Sequence, residues 1–485
     1  MLKKIIDSLK RNNPSQANTP VVSPAENTAS HLTDKEFHDR LAQFSASQTE
    51  LAERQAAADR LIAQTNLVIK LGTLLMAAGA GAYRVKTAMA RLAAAVGIEK
   101  VQSQVGLTEL ALTAHTSGTF RTEIVEQRIV GVNADRIDAL RVFLRDLQPG
   151  MIVEDLDRKL DEIAAKPHLY SRLQLALASG FGCAGFAFLN KGGVVECSVV
   201  LFAAFIGQYL RSILLGKRFN HVATWLACAV LSTSFYIAVV SVLLQTTIID
   251  SSHQSGVIST ILYLVPGFPL VTSILDLVRL DMLAGIARGF YVMTLMVSAG
   301  VATWAVVSVT NWSVEPTVHV PSNLVLLFVM NACATWIAAF CFAILFNSPL
   351  KVAFTAGLVG AILNPIRILL VHFGLPNQGL VALTALLVGL VASAIAAQTY
   401  FSRVSLSVPA VVIMIPGVPF YRAITALNQG SFETAMASVM EVTFVILAIG
   451  AGLGLARILT DRGWAFDQVN LRAAKLSPES IHTVR

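Results

Sequence analysis

From about residue 170 onward the chain is a succession of apolar stretches nearly free of charge, each about as long as the roughly 20 residues a helix needs to cross a bilayer. Ten can be drawn, at roughly 173–190, 193–215, 222–247, 256–276, 285–309, 322–346, 350–372, 377–399, 407–427 and 435–458. Such a pattern excludes an ordinary soluble fold and predicts an α-helical membrane protein of about ten transmembrane helices. The bulk composition agrees, with 55% hydrophobic and 14% charged residues and a mean hydropathy of +0.64.

Flanking charge orients the spans. With the N-terminus inside, the cytoplasmic connections hold Lys217, Arg218, Arg279, Arg288, Lys351 and Arg403, and the tail adds Arg457, Arg462, Arg472 and Lys475. The connections at 248–255 and 310–321 hold no Lys or Arg. Both termini are therefore expected in the cytoplasm. The opening MLKKIIDSLKRNNPSQ has no apolar core or cleavage site and is a poor secretory signal. A net charge of +7 without a basic, aromatic-interleaved stripe gives no footprint for nucleic acid.

Ahead of the spans, residues 1–33 are rich in Asn, Pro, Ser and Thr and read as a disordered leader. Residues 34–170 read as a small cytoplasmic α+β domain. Polar helix-former sequence at 34–60 runs into 61–98, which has helical apolar spacing but carries Lys70, Arg84, Lys86 and Arg91, so it is better buried in a soluble fold. Gly79-Ala80-Gly81 separates two packed helices there. The Val-, Thr- and Ile-rich stretch 100–132 predicts two or three strands, and helices follow at 133–147 and 152–165. Residues 461–485 form a tail.

Inside the apolar part, LVPGFPL (264–270) and MIPGVPF (414–420) interrupt two spans with the same motif. A proline removes a backbone donor and frees carbonyls that lipid cannot satisfy, so such breaks are tolerated where they are buried in protein or face water. Two further matches precede them: FAFL (186–189) lies over FAIL (342–345), and FIGQYLRSIL (205–214) over GAILNPIRIL (360–369), placing Gln208 on Asn364 and Arg211 on Arg367 at an offset of 156. Five spans per unit is an odd number, so the second copy enters the membrane from the opposite side. The expectation is two inverted five-helix repeats, 173–310 and 322–460, as in many secondary transporters. Pro266, Gly267, Pro269, Pro416, Gly417 and Pro419 would then offer backbone groups to a polar solute near a shared axis.

Side chains add to that pathway. An amino-acid zwitterion needs a partner for its ammonium and one for its carboxylate. Asp276 and Asp281 lie near Arg279 and Arg288; Asp276 reads either as a pathway and proton-coupling group or as part of a solvated ion-pair network, and Asp281 as part of that network. Glu441 lies inside the tenth span, where a charge is costly, and reads as a proton carrier or as a structural partner of Arg211 or Arg367. Those two arginines either neutralise a solute carboxylate or snorkel from the span ends. Asn190, Gln208, Asn331, Asn347 and Asn364 add polar groups that interhelical hydrogen bonds explain equally well.

The remaining motifs carry less chemistry. Cys183, Cys197, Cys228, Cys333 and Cys341 lack metal-ligand spacing and read as packing residues, so neither metal nor cofactor is implied. Thr108, Thr113, His115 and Ser117 raise a membrane-tethered hydrolase as an alternative, but no nucleophile elbow is present. Gly79 and Arg84 fit a gating corner better than a catalytic one.

The stretches LLMAAGAGAYRVKTAMARLAAAVGI, LVPGFPLVTSILDLVRLDMLAGIARG and VVIMIPGVPFYRAI, in that order, make residues 65–460 resemble the bacterial threonine/serine exporter family, in the fused form of relatives that are otherwise split into two proteins. Where many family members carry an acidic residue or serine before the Arg-Val pair, this chain has Ala78-Gly79-Ala80-Gly81-Ala82. The resemblance implies an inner-membrane exporter of small amino acids driven by protons; the split relatives imply dicarboxylate (succinate) export as the alternative. A homo-oligomer is left open.

Overall fold

The computed structural model describes residues 34–116, 118–246, 251–310, 312 and 323–466. The expected leader, most of the tail, and much of the connections at 248–255 and 310–321 lie outside the described residues. The chain divides into two units, Met1–Ala58 and Asp59–Arg485. What is described of the first is the start of helix α1 (Asp34–Ala77), a polar stretch whose exposed Glu50 and Arg54 pair one turn apart at 2.7 Å.

The second unit opens with an α+β region. The rest of α1 buries Leu67, Leu71 and Leu75, four residues apart on one face. Gly79 ends the corner in the left-handed region (φ 86°), and α2 (Ala82–Ala95) returns with Val85, Met89 and Leu92 against α1 and the sheet. Three antiparallel strands follow in the order β1 (Lys100–Val105), β2 (Glu109–Thr116) and β3 (Thr119–Glu126). The central strand alternates, burying Leu110, Leu112 and Ala114 on one face. Helices α3 (Ala134–Arg145) and α4 (Val153–Ala165) add Ile137, Leu140, Leu156 and Leu160 to the core. Each such leucine contributes about 1.5–3 kcal/mol. The strand count resolves to three, and both helices fall where the sequence predicts them.

The membrane part follows as α5 (Arg172–Leu189), α6 (Val194–Gly216), α7 (His221–Gln245), a 3-10 segment (Ser251–Leu264) leading into α8 (Gly267–Val278), α9 (Met282–Val309), α10 (Leu324–Leu345), α11 (Leu350–His372), α12 (Asn377–Gln398), α13 (Arg403–Val412) leading into α14 (Gly417–Asn428), and α15 (Phe432–Thr460) with a short α16 (Arg462–Ala465). Among the described residues eight helices are long and apolar enough to cross a bilayer, and ten spans result if each bent pair counts as one. The fourth and ninth expected spans are those pairs, bent by 65° and 50°.

The breaks have a local cause. Pro266 and Pro416 cannot continue the preceding helix, and each becomes the N-cap of the next with nearly the same backbone (φ −78°, ψ 65° and φ −80°, ψ 68°). Pro269 and Pro419 lie in the first turn of α8 and α14, where a missing N–H costs no intrahelical bond. Helices α6 and α11 each have 23 residues, and the bent pairs lead into helices of 28 and 29 residues.

Candidate functional site

The two bent pairs meet through exchanged contacts. A Cβ on Gly267 would lie 2.7 Å from Cγ2 of Val412, and one on Gly417 would run into Leu262; residues 417 and 412 are 267 and 262 advanced by 150. Likewise a Cβ on Gly300 would overlap Ile424, and one on Gly450 would overlap Ile274, again related by 150. At all four positions a bare Cα lets a helix approach a neighbouring side chain that no other residue would clear.

Beside this crossing is a cavity of ≈ 170 Å³. One wall is the break itself, from Ile415 to Pro419; the others carry Asn190, Asn364, Arg367, Asn377 and Glu441. Chain alternation puts Asn190 and Asn377 at the ends of the helices facing away from the α+β domain. Arg367 donates from Nε to Oδ1 of Asn364 at 3.0 Å and from Nη1 to Oδ1 of Asn377 at 2.6 Å, while Asn364 donates onward to Oγ1 of Thr335 at 3.1 Å. Amide oxygens thus fix the guanidinium without neutralising it. Glu441 is half-buried, and no ion pair joins it to Arg367 or Arg211 among the described residues. The alternative reading of Glu441, as a structural partner of one of these arginines, has no ion pair behind it there. A guanidinium and a carboxyl group therefore line one cavity at the N-terminal end of α14.

Arg211, which the 156-residue offset aligns with Arg367, shares its local contact but not its environment. Its Nη1 donates to Oε1 of Gln208 three residues earlier (3.2 Å) and to the carbonyl of Tyr263 (3.4 Å), and its guanidinium stacks 4.4 Å from the Trp225 ring centroid. It lies outside the cavity that Glu441 lines.

Asp276 is elsewhere again, where the α+β domain meets the bent pairs. Its Oδ1 accepts the N–H of Ala82, the first residue of α2, at 2.9 Å, and Arg288 Nη2 donates to the carbonyl of Ala80 at 3.2 Å. Asp276 and Arg288 approach to 3.3 Å with side chains only 3% and 6% exposed, so they form a buried pair rather than a solvated network. Asp281, paired with Lys86, is the part nearer the surface. Gly81 is required at this seat, because a Cβ there would lie 2.8 Å from Oδ1 of Asp276. Gly79 lies against Phe268, the residue after the Pro266-Gly267 break.

The domain grips the second bent pair in the reverse sense. Oδ1 of Asp138, on α3, accepts the Ser402 N–H at 2.9 Å and the Ser405 hydroxyl at 3.1 Å, holding the first turn of α13, whose N-cap is Ser402. Arg141 donates to the carbonyls of Ala396, at 2.8 Å, and Phe401 at the end of α12. Asn347, just past the end of α10, donates to Oδ1 of Asn133, the N-cap of α3, at 2.8 Å and accepts the Leu169 N–H at 2.9 Å. Arg84 lies within electrostatic reach of Asp138, Arg141 and Arg403, and burial pushes its guanidinium down to about 10. Asp138, Arg141 and Asn377 were not singled out from sequence; Asp138 could have been, because it lies one turn beyond Ala134 on the buried face of α3.

In the sheet, Thr113 bonds across to Thr122 at 3.0 Å and His115 packs on the ring of Phe120, so neither forms a nucleophile–base pair. Ser117 lies outside the described residues. The five cysteines are unpaired, and no group of three metal-binding side chains occurs among the described residues.

These features define a multi-span helical membrane protein in which an α+β domain is docked on paired broken helices. The chain belongs to the threonine/serine exporter family: residues 66–310 match the family model described as "Putative threonine/serine exporter", and residues 331–459 the one described as "Threonine/Serine exporter, ThrE". Membership makes it a transport protein rather than an enzyme. A Mycobacterium tuberculosis protein named "Probable threonine/serine exporter" is 25% identical over 415 residues, covering 81% of this chain and 76% of that relative. Proteins from Klebsiella aerogenes and Escherichia coli K12, both named "Probable succinate transporter subunit YjjP", are 24% identical over 254 residues, covering 52% of this chain and 95% and 96% of theirs. No solved structure matches the chain.

Proposed function

We propose that the chain exports threonine, serine and related small amino acids from the bacterial cytoplasm in exchange for protons. The observation that carries this reading is the cavity lined by both Arg367 and Glu441. A zwitterion satisfies both charges at once, its carboxylate on the guanidinium and its ammonium on the carboxylate. Glu441 then alternates between solute and proton, the simplest form of antiport. Pro266, Gly267, Pro269, Pro416, Gly417 and Pro419 frame the pathway, and Asn364 orients Arg367.

The exchanged glycine contacts and the 150- and 156-residue offsets support two inverted five-helix repeats, with 34–170 as the cytoplasmic domain and both termini inside. The described state then faces outward, its cytoplasmic end held shut by the contacts of Asp276 and Asp138. Arg211 and Asp276 act in closing that end rather than in the cavity, and the corner of Gly79 and Arg84 is part of the closure.

A second reading, dicarboxylate export, follows from the names of the relatives that match the first half. Glu441 opposes it, since like charges about 4 Å apart repel by about 4 kcal/mol at an effective dielectric near 20. Proteoliposomes loaded with threonine or succinate and given an inward proton gradient decide between them. Gradient-driven threonine efflux is expected; succinate efflux without threonine efflux would overturn the proposal.

A further inference from the structure

A second, smaller cavity opens among the domain-side ends of four helices. It is lined by Leu275 of α8, Ser393 of α12, Arg403 and Ser407 of α13, and Arg457 of α15, and its volume of ≈ 10 Å³ holds one water-sized group. The walls bring two guanidiniums and two hydroxyls together without a carboxylate.

The surrounding charge does not balance. Arg84 of the α+β domain lies within electrostatic reach of Arg403 and Arg457, and Arg141 within reach of Arg403, against Asp138 and Asp461. Asp138 accepts from Ser402 and Ser405 at the start of α13, and Asp461 caps α16 through the Gly463 N–H at 3.1 Å while lying 3.6 Å from Arg403. Among the described residues the Arg403 side chain otherwise hydrogen-bonds only Thr460, at its carbonyl and hydroxyl, at 3.4 Å each. The Arg457 side chain makes neither a hydrogen bond nor an ion pair among the described residues; its guanidinium lies 6.0 Å from the Trp464 ring centroid. Arginines at helix ends commonly face lipid headgroups. Here two of them, both partly buried, line one cavity between helices, where an anion gains a charge-assisted hydrogen bond from each guanidinium. The planar fork of arginine and the serine hydroxyls match a carboxylate in particular.

We propose that this cavity is a carboxylate-binding site on the cytoplasmic side, where the solute docks its carboxylate before passing between the bent pairs. The placement on the transport route rests on the export reading above. Arg457 is the principal donor, Arg403 the second, and Ser393 and Ser407 complete the shell. In the state described the site admits a single group, and it widens as the cytoplasmic end opens.

The test uses sidedness. In oriented proteoliposomes of zwitterionic lipid, Arg457→Gln raises the KM for solute on the domain side by about tenfold or more, as loss of a charged hydrogen bond does, and leaves the KM for counterflow from the opposite side unchanged. Arg457→Lys recovers part of the loss. Threonine amide, which lacks the carboxylate, is insensitive to the change. Equal effects on both sides, or on threonine and its amide, would overturn the proposal, as would an effect that appears only with anionic lipid. If the wild type exports succinate instead, the same split read with succinate supports the site while the amino-acid reading fails. Equilibrium titration of the protein in nanodiscs with threonine and with succinate covers a protein that transports neither: Arg457→Gln should remove one carboxylate-binding event, and unchanged binding of both overturns the site.

Discussion

Gly267 meets Val412 where the two bent pairs cross, and the same contact is repeated by Gly417 against Leu262 with the halves exchanged. An exchanged contact of this kind is what a local two-fold relation between the pairs requires. Because the relation depends on missing Cβ atoms, it is tested by adding them. Gly300→Val and Gly450→Val should each destabilise the membrane part by about 1–3 kcal/mol, as overpacking does. Thermal unfolding in detergent measures this. Similar losses from the two variants are expected, and a loss from one alone would argue against equivalent roles.

The corner seated on Asp276 gives a second test. Gly81→Val drives a side chain into the carboxylate that accepts the Ala82 N–H, so the domain should lose its hold on α8 while keeping its own core. Limited proteolysis between residues 77 and 82 should accelerate, with little change in helix content. Unchanged proteolysis would mean that the seat tolerates the branch.

The breaks at Pro266 and Pro416 were legible in the sequence because a missing N–H is a property of the residue itself. The crossing of Gly267 with Val412 was not, because it joins residues far apart in the chain and depends on both surfaces. The arginines make the same point: Gln208–Arg211 and Asn364–Arg367 are one motif in sequence, yet Trp225 and Tyr263 engage Arg211 while Asn377 and a cavity receive Arg367. Asp138 was legible as a charge on the buried face of α3, but its partner was not, because Ser402 belongs to another element. Glu441 was found because a carboxylate within an apolar span is conspicuous whatever its neighbours.

Asp138 also predicts a pH dependence. Burial, opposed by its hydrogen bonds to Ser402 and Ser405 and by Arg84, raises its carboxyl above the ordinary 3.8. The folded state therefore holds this proton more tightly than the unfolded state, and the stability from Asp138 is fully present below 3.8 and falls as pH rises through the raised value. Asp138→Asn keeps an oxygen for both serine donors but removes the titration. Its melting temperature should lose this decline with rising pH, and at neutral pH it should equal or exceed that of the wild type. A persisting decline would assign it to another group.

The most direct test of the transport reading is the charge pair in the larger cavity. With Glu441 replaced by Gln, Arg367 is the one remaining ionised side chain among those that line the cavity, and Asn364 and Asn377 still hold it in place. Efflux driven by a proton gradient should stop, because no group is left to exchange solute for a proton, while counterflow of labelled threonine continues at reduced affinity. The same change removes the repulsion against a second carboxylate, so succinate should compete with threonine better in Glu441→Gln than in the wild type. Competition in counterflow measures both effects in one assay. A variant whose efflux keeps its pH dependence would remove Glu441 from the proton path, and one in which succinate competes no better would mean that Glu441 does not face the solute.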